Sequence, residues 1–154
     1  MKQRDRKIKY LFNELALGCI LMLVLLSTCQ ACEYVATGLW SYHYNRDKDW
    51  TEDHQRVGCE NILGSGVNAS YFVNSHGDDS ALVSKYWTWK QKGNVSLGLE
   101  YGIVYGYKHR LANIAGFAPA LLPRLSWQGD TIGVDLFVAY NQALAIGFKW
   151  KLGE

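Results

Sequence analysis

Val95-Ser96-Leu97-Gly98-Leu99-Glu100-Tyr101-Gly102-Ile103-Val104-Tyr105-Gly106-Tyr107 is the stretch on which the fold turns. Every odd position is apolar or aromatic, and the even positions are Ser96, Gly98, Glu100, Gly102, Val104 and Gly106. Side chains alternate across a strand, so this pattern predicts one greasy face and one small or polar face. Strands in soluble sheets run to about 5–6 residues. A bilayer-crossing strand needs roughly 9–11 residues and turns its greasy face outward to lipid. The stretch therefore reads as one wall element of a transmembrane β-barrel.

The same period continues on both sides of it. Towards the C-terminus, Thr131 to Tyr140 carries Ile132, Val134, Leu136, Val138 and Tyr140 on one face. Ala143 to Leu152 does likewise with Leu144, Ile146, Phe148, Trp150 and Leu152, and another strand is expected from Ala120 to Gln128. Towards the N-terminus, strands are expected over Thr37 to Asn45, Arg56 to Gly64, Val67 to Ser75 and Ser80 to Lys90. The first of these sets Trp40, Tyr42 and Tyr44 on one face and Leu39, Ser41 and His43 on the other. The fold class is thus all-β, an eight-stranded antiparallel transmembrane β-barrel. An even count returns both chain ends to one rim.

The connections fit that arrangement. Ser65-Gly66, Gln91 to Asn94 and Gly129-Asp130 are short and carry Gly, Asn or Asp, as hairpin turns require. On the other rim, Arg46 to Gln55 and Lys108 to Pro119 are long. Short periplasmic turns with longer outer loops are the pattern of outer-membrane barrels. Lys85 falls on the outward face of the fourth strand, and the chain finishes Trp150-Lys151-Leu152-Gly153-Glu154 rather than on an aromatic residue.

With 154 residues there is room for one domain and a leader. Net charge is +2 and the basic residues are scattered, so no nucleic-acid footprint is present. Lys2, Arg4, Arg6, Lys7 and Lys9 precede the apolar run Leu15 to Leu26, and small or polar residues follow to Ala31. That order predicts a signal peptide over residues 1–31, cleaved after Ala31. An uncleaved anchor, or a lipidated Cys29 after Leu25-Leu26-Ser27-Thr28, are the alternatives. Residues 32–154 then form the barrel, placed in the cell outer membrane. Of the four cysteines, Cys32 and Cys59 remain in an oxidising compartment where a disulfide is allowed. Cys59 is expected near the rim opposite Cys32, which favours two unpaired thiols.

Sorting the inward residues by height puts Glu100, Arg124, Asp135, Lys149 and Lys151 at the periplasmic end. The outer half would be lined by small or apolar side chains, with Leu82, Gly102, Val104, Leu122 and Phe137 forming a cup. Buried charges must pair. The charged cluster is then either a plug that fills a small barrel or the floor of a cup that holds a lipid chain. His54, His76 and His109 fall in outer loops without metal-ligand spacing. No metal or cofactor is expected.

Four segments resemble the PagP-type lipid A palmitoyltransferases. They are Trp40-Ser41-Tyr42-His43-Tyr44-Asn45-Arg46, Tyr71-Phe72-Val73-Asn74-Ser75, Pro119-Ala120-Leu121-Leu122-Pro123-Arg124-Leu125-Ser126, and the final strand pair. The resemblance implies a monomeric outer-membrane enzyme, delivered by the outer-membrane assembly machinery, that moves an acyl chain from a phospholipid to lipid A. It implies His43 as general base, Ser75 as a hydrogen-bond donor to the developing oxyanion, and Asn74 where the family has an aspartate. Three departures accompany it. Asn74 carries no charge, the prolines that flank the family's first two strands are missing, and Ser84 and Tyr86 lie where the family keeps a floor glycine. A non-catalytic barrel of the same fold, acting as a surface or binding protein, is the alternative function.

Overall fold

The computed structural model describes residues 31–45, 49–107, 113–139 and 143–152. The leader, with Cys19, Cys29 and the lipidation motif, lies outside these residues, as do Arg46, His109 and Tyr140.

Eight strands form a closed antiparallel barrel in which each strand pairs with its chain neighbour and the last with the first. They are β1 (Tyr34–His43), β2 (Val57–Ile62), β3 (Val67–Val73), β4 (Asp79–Lys92), β5 (Val95–Tyr105), β6 (Phe117–Gln128), β7 (Ile132–Ala139) and β8 (Ala143–Lys151). Tyr34 pairs with Lys151, so both ends of the barrel chain meet at one rim, here called the terminal rim; His43 pairs with Ala143 at the opposite, loop rim.

The alternation read in the sequence is the alternation found. On β5, Glu100 and Val104 are buried while Leu97, Tyr101, Ile103 and Tyr105 are exposed. Every strand presents a large apolar side chain outward: Trp40, Val57, Tyr71, Val83, Ile103, Leu121, Ile132 and Ile146 among them. Exposed apolar side chains thus occur all round the barrel wall. Lys85 faces outward, as expected, beside Tyr101 and Val67.

Strand limits differ from the sequence reading mostly at the first strand, and the reason is Gly38. The β1–β8 register shifts between Thr37 and Leu39, where Gly38 takes φ +64°. A bulge of this kind adds a residue and reverses the numbering parity of the inner face. Ala36 points inward before it and His43 after it. An unbroken strand would have turned Trp40 and Tyr42 into the barrel and His43 out. The period-two signal restarts at Gly38, which is why β1 begins late when read from sequence alone. Only glycine suits this place, because a Cβ would lie 2.9 Å from the Trp40 ring in a left-handed backbone.

The ladders from β3 to β6 are long, with one register shift in β4 between Thr88 and Lys90, and those on either side are shorter or broken. β1 pairs with β2 only over Tyr34–Thr37, and β6 pairs with β7 only over Arg124–Gln128 among the described residues. Above β2, residues 51–56 complete the wall without forming a strand. Their backbone bonds run from Gly38 N to Arg56 O (3.0 Å), His54 N to Leu39 O (2.8 Å), Ser41 N to Glu52 O (2.8 Å) and Val73 N to His54 O (2.8 Å).

This irregular stretch corrects the expectation of free thiols. Because β2 proper starts partway down the wall, Cys59 pairs with Val35 near the terminal rim instead of sitting opposite it. Cys32 lies three residues before Val35 in the chain, and the two cysteines form a disulfide with Cα atoms 5.3 Å apart.

Candidate functional site

The barrel interior divides by height. Near the terminal rim Arg124 donates to Glu100 Oε2 (2.9 Å), Glu60 Oε2 (2.6 Å) and Asp135 Oδ2 (2.6 Å). Arg56 reaches the other oxygen of Glu60 at 3.1 Å, and Lys149 lies 3.2 Å from Asp135 and donates to Ser126 at 2.8 Å. Ser84 donates to Glu100 at 2.6 Å, so the carboxylate has partners on both oxygens. The guanidinium of Arg124 also lies over the Tyr86 and Phe137 rings, 4.9 and 5.3 Å from their centroids. Three cations and three anions thus interlock in a region closed to water, and the formal charges cancel.

Glu100, Arg124, Asp135 and Lys149 were expected in this cluster; Arg56 and Glu60 complete it. Lys151 does not join, being exposed at the strand end. Ser84 and Tyr86 are both built into the network, Ser84 on Glu100 and Tyr86 beneath Arg124. The cluster is therefore a filled floor.

Above the floor lie two overlapping cavities of about 100 Å³ each. Leu82 and Leu122 line both, Val104 the upper and Phe137 the lower. Phe137 sits lower than its sequence position suggested, between the cavity and the ion network. Gly102 lines neither cavity; it lets β5 approach β4 where a Cβ would collide with the Val83 carbonyl. The openness of this half follows from side-chain size. Ala118, Ala120, Ala139, Ala143 and Ala145 occupy inward places that Arg, Glu, Lys and Phe fill below.

At the loop rim a polar chain borders the cavities. Ser75 Oγ is 3.0 Å from His43 Nε2, and Ser41 Oγ is 3.5 Å from His43 Nδ1. Ser41 Oγ is also 2.7 Å from His54 Nε2, and His54 Nδ1 is 2.7 Å from the Val73 carbonyl oxygen. Both histidines are buried, whereas Ser75 is partly accessible and lines both cavities. Trp50 stacks flat on His43 at 4.6 Å, and its indole N–H donates to Asn45 O at 2.8 Å.

Asn74 lies outside this chain. It is fully buried, and its amide nitrogen donates to Ser80 Oγ (3.0 Å) and Gly106 O (3.2 Å). Its oxygen accepts from the backbone of His76 (2.8 Å) and Asp78 (3.1 Å). These bonds shape the turn that follows β3 and thereby set the position of Ser75. β3 itself ends at Val73, so Asn74 and Ser75 belong to the connection rather than to the strand.

The fold brings His43 and Ser75 together from distant parts of the chain. Ser41 was legible as an inner-face neighbour of His43, two residues away. His54 was not, because it lies in the wall segment without alternation. Among the described residues no three His, Cys, Asp or Glu side chains are placed to hold a metal ion. No family model, curated protein or solved structure matches this chain.

Proposed function

We propose that this barrel resides in the outer membrane of Gram-negative cells and transfers an acyl chain from a phospholipid to lipid A. The observation that carries the reading is the His43–Ser75 contact of 3.0 Å at the mouth of an apolar cavity, inside a barrel whose outer surface is apolar. A hydroxyl in hydrogen-bond contact with an imidazole is the basic element of acyl-transfer chemistry. The cavity beside it accepts an apolar chain end, and the filled ion network sets its depth. Lateral access to such a cavity is favoured where β6, which carries Pro119 and Pro123, leaves its ladder with β7. The protein would act as a monomer after delivery by the outer-membrane assembly machinery, with phospholipid and lipid A as its partners and no cofactor.

Mass spectrometry of lipid A from cells with and without this protein tests the reading. A gain of one acyl chain is expected, lost in His43→Ala. Unchanged lipid A, with heat-modifiable migration proving a folded barrel, would overturn it. One observation favours a non-catalytic surface or binding protein instead. Asn74, at the place of the family's aspartate, has its amide fully engaged in a turn.

A further inference from the structure

The direction of each hydrogen bond in the rim cluster can be worked out from its far end. A carbonyl oxygen only accepts, so the bond to Val73 O puts the proton of His54 on Nδ1. In the neutral ring Nε2 then carries a lone pair, which must accept the Ser41 hydroxyl hydrogen at 2.7 Å. With its hydrogen so used, Ser41 Oγ can only accept from His43 Nδ1. That places the His43 proton on Nδ1 and leaves Nε2 as a base, 3.0 Å from Ser75. The Ser75 hydrogen turns to His43 and its lone pairs turn away from it.

His54 is well held for this task. Its backbone bonds Leu39 O and Val73 N, and its ring bonds Val73 O, so both β1 and β3 anchor it. The Trp50 ring lies parallel to the face of His43, where it attracts the imidazolium formed on proton uptake.

We propose that Ser75 is the nucleophile of a two-step acyl transfer, with His43 as its base and the Ser41–His54 pair as positioning residues that fix the base's tautomer. The proposal rests on the acyl-transfer reading and deepens it, replacing the oxyanion-donor role of Ser75. In the first step Ser75 Oγ bonds to the ester carbonyl carbon and gives its proton to His43 Nε2. The carbon–oxygen bond of the donor breaks, and the departing alkoxide takes that proton. In the second step an acceptor hydroxyl gives its proton to His43 and attacks the acyl-serine, and Ser75 recovers the proton as its ester bond breaks.

The test uses an alkyl fluorophosphonate, which traps activated serines and has no lipid A component, on the folded protein in detergent micelles. Peptide mass mapping should find the adduct on Ser75. His54→Gln, whose planar amide keeps an N–H for Val73 O and an oxygen for the Ser41 hydroxyl, should label at nearly the wild-type rate. His54→Leu and Ser41→Ala should label about 100-fold more slowly, since a base in the wrong tautomer costs up to ~10⁴ in serine hydrolases. If His54→Leu does not fold, Ser41→Ala carries the comparison, because it removes a single oxygen. An unlabelled Ser75 in the folded wild type would sink the nucleophile. Equal rates in all four proteins would sink the relay. A labelled Ser75 in a protein that leaves lipid A unchanged would sustain this inference and discard the lipid A assignment.

Discussion

The two halves of this barrel's interior handle buried polarity in opposite ways. Towards the terminal rim, long charged side chains meet at Arg124 and are buried together. Towards the loop rim, histidines and serines form a hydrogen-bonded chain beside a void. Both lie in one barrel, so the difference comes from side-chain length and not from the backbone. Alanines in the upper layers leave room that arginine, glutamate and phenylalanine occupy below. The wall follows the same division, with every ladder present near the terminal rim and the β1–β2 and β6–β7 ladders stopping short of the loop rim. A charge-filled base and a top with shorter ladders around a cavity make a vessel with a floor.

Removing the centre of the floor should break the lower half outright. Arg124→Leu leaves Glu100 with no cation beside it and takes one from Glu60 and Asp135, which keep Arg56 and Lys149, and a buried pair that loses one partner costs about 3–5 kcal/mol. The folded, heat-modifiable band should largely disappear, and a stable Arg124→Leu barrel would mean the floor is not held by charge. His43→Ala should show the reverse behaviour. Acyl transfer, read from lipid A mass, should fall by about 10²–10⁴ as expected for a lost general base, with the unfolding midpoint in urea scarcely moved.

The disulfide belongs to the lower half and should report on stability alone. Its cysteines are 27 residues apart in sequence. Reducing it, or substituting Cys32→Ser and Cys59→Ser together, should cost about 3 kcal/mol by the chain-entropy argument. Equal urea midpoints for the oxidised and reduced protein would count against that. Gly38→Ala should cost less stability than loss of the disulfide, about 1–2 kcal/mol for a side chain in a left-handed backbone. It should nonetheless lower activity, because the bulge is what turns His43 inward. Full activity in Gly38→Ala would show that the upper half tolerates a different strand geometry.

The strand count, the inward and outward faces of β4 to β8 and the gathering of charge at one end were all legible along the chain. Each is a consequence of period-two alternation, which any few consecutive residues display without reference to a partner. The limits of β1 were harder, because a bulge interrupts the very periodicity used to find strands. The His43–Ser75 contact was suggested only by resemblance to a family, as nothing local ties residues on β1 to the turn after β3.

The amino-acid sequence by itself thus determined a barrel of eight strands with an apolar outside, small residues at one end and charges at the other. The tertiary structure decided which residues meet. It joined Cys32 to Cys59, brought Arg56 and Glu60 into the floor, and set His54 behind Ser41 and His43. These partnerships depend on how strands and irregular segments slide against each other before the barrel closes. That register is a property of the whole wall, and one residue of shift in any strand would have reassigned every neighbour across it.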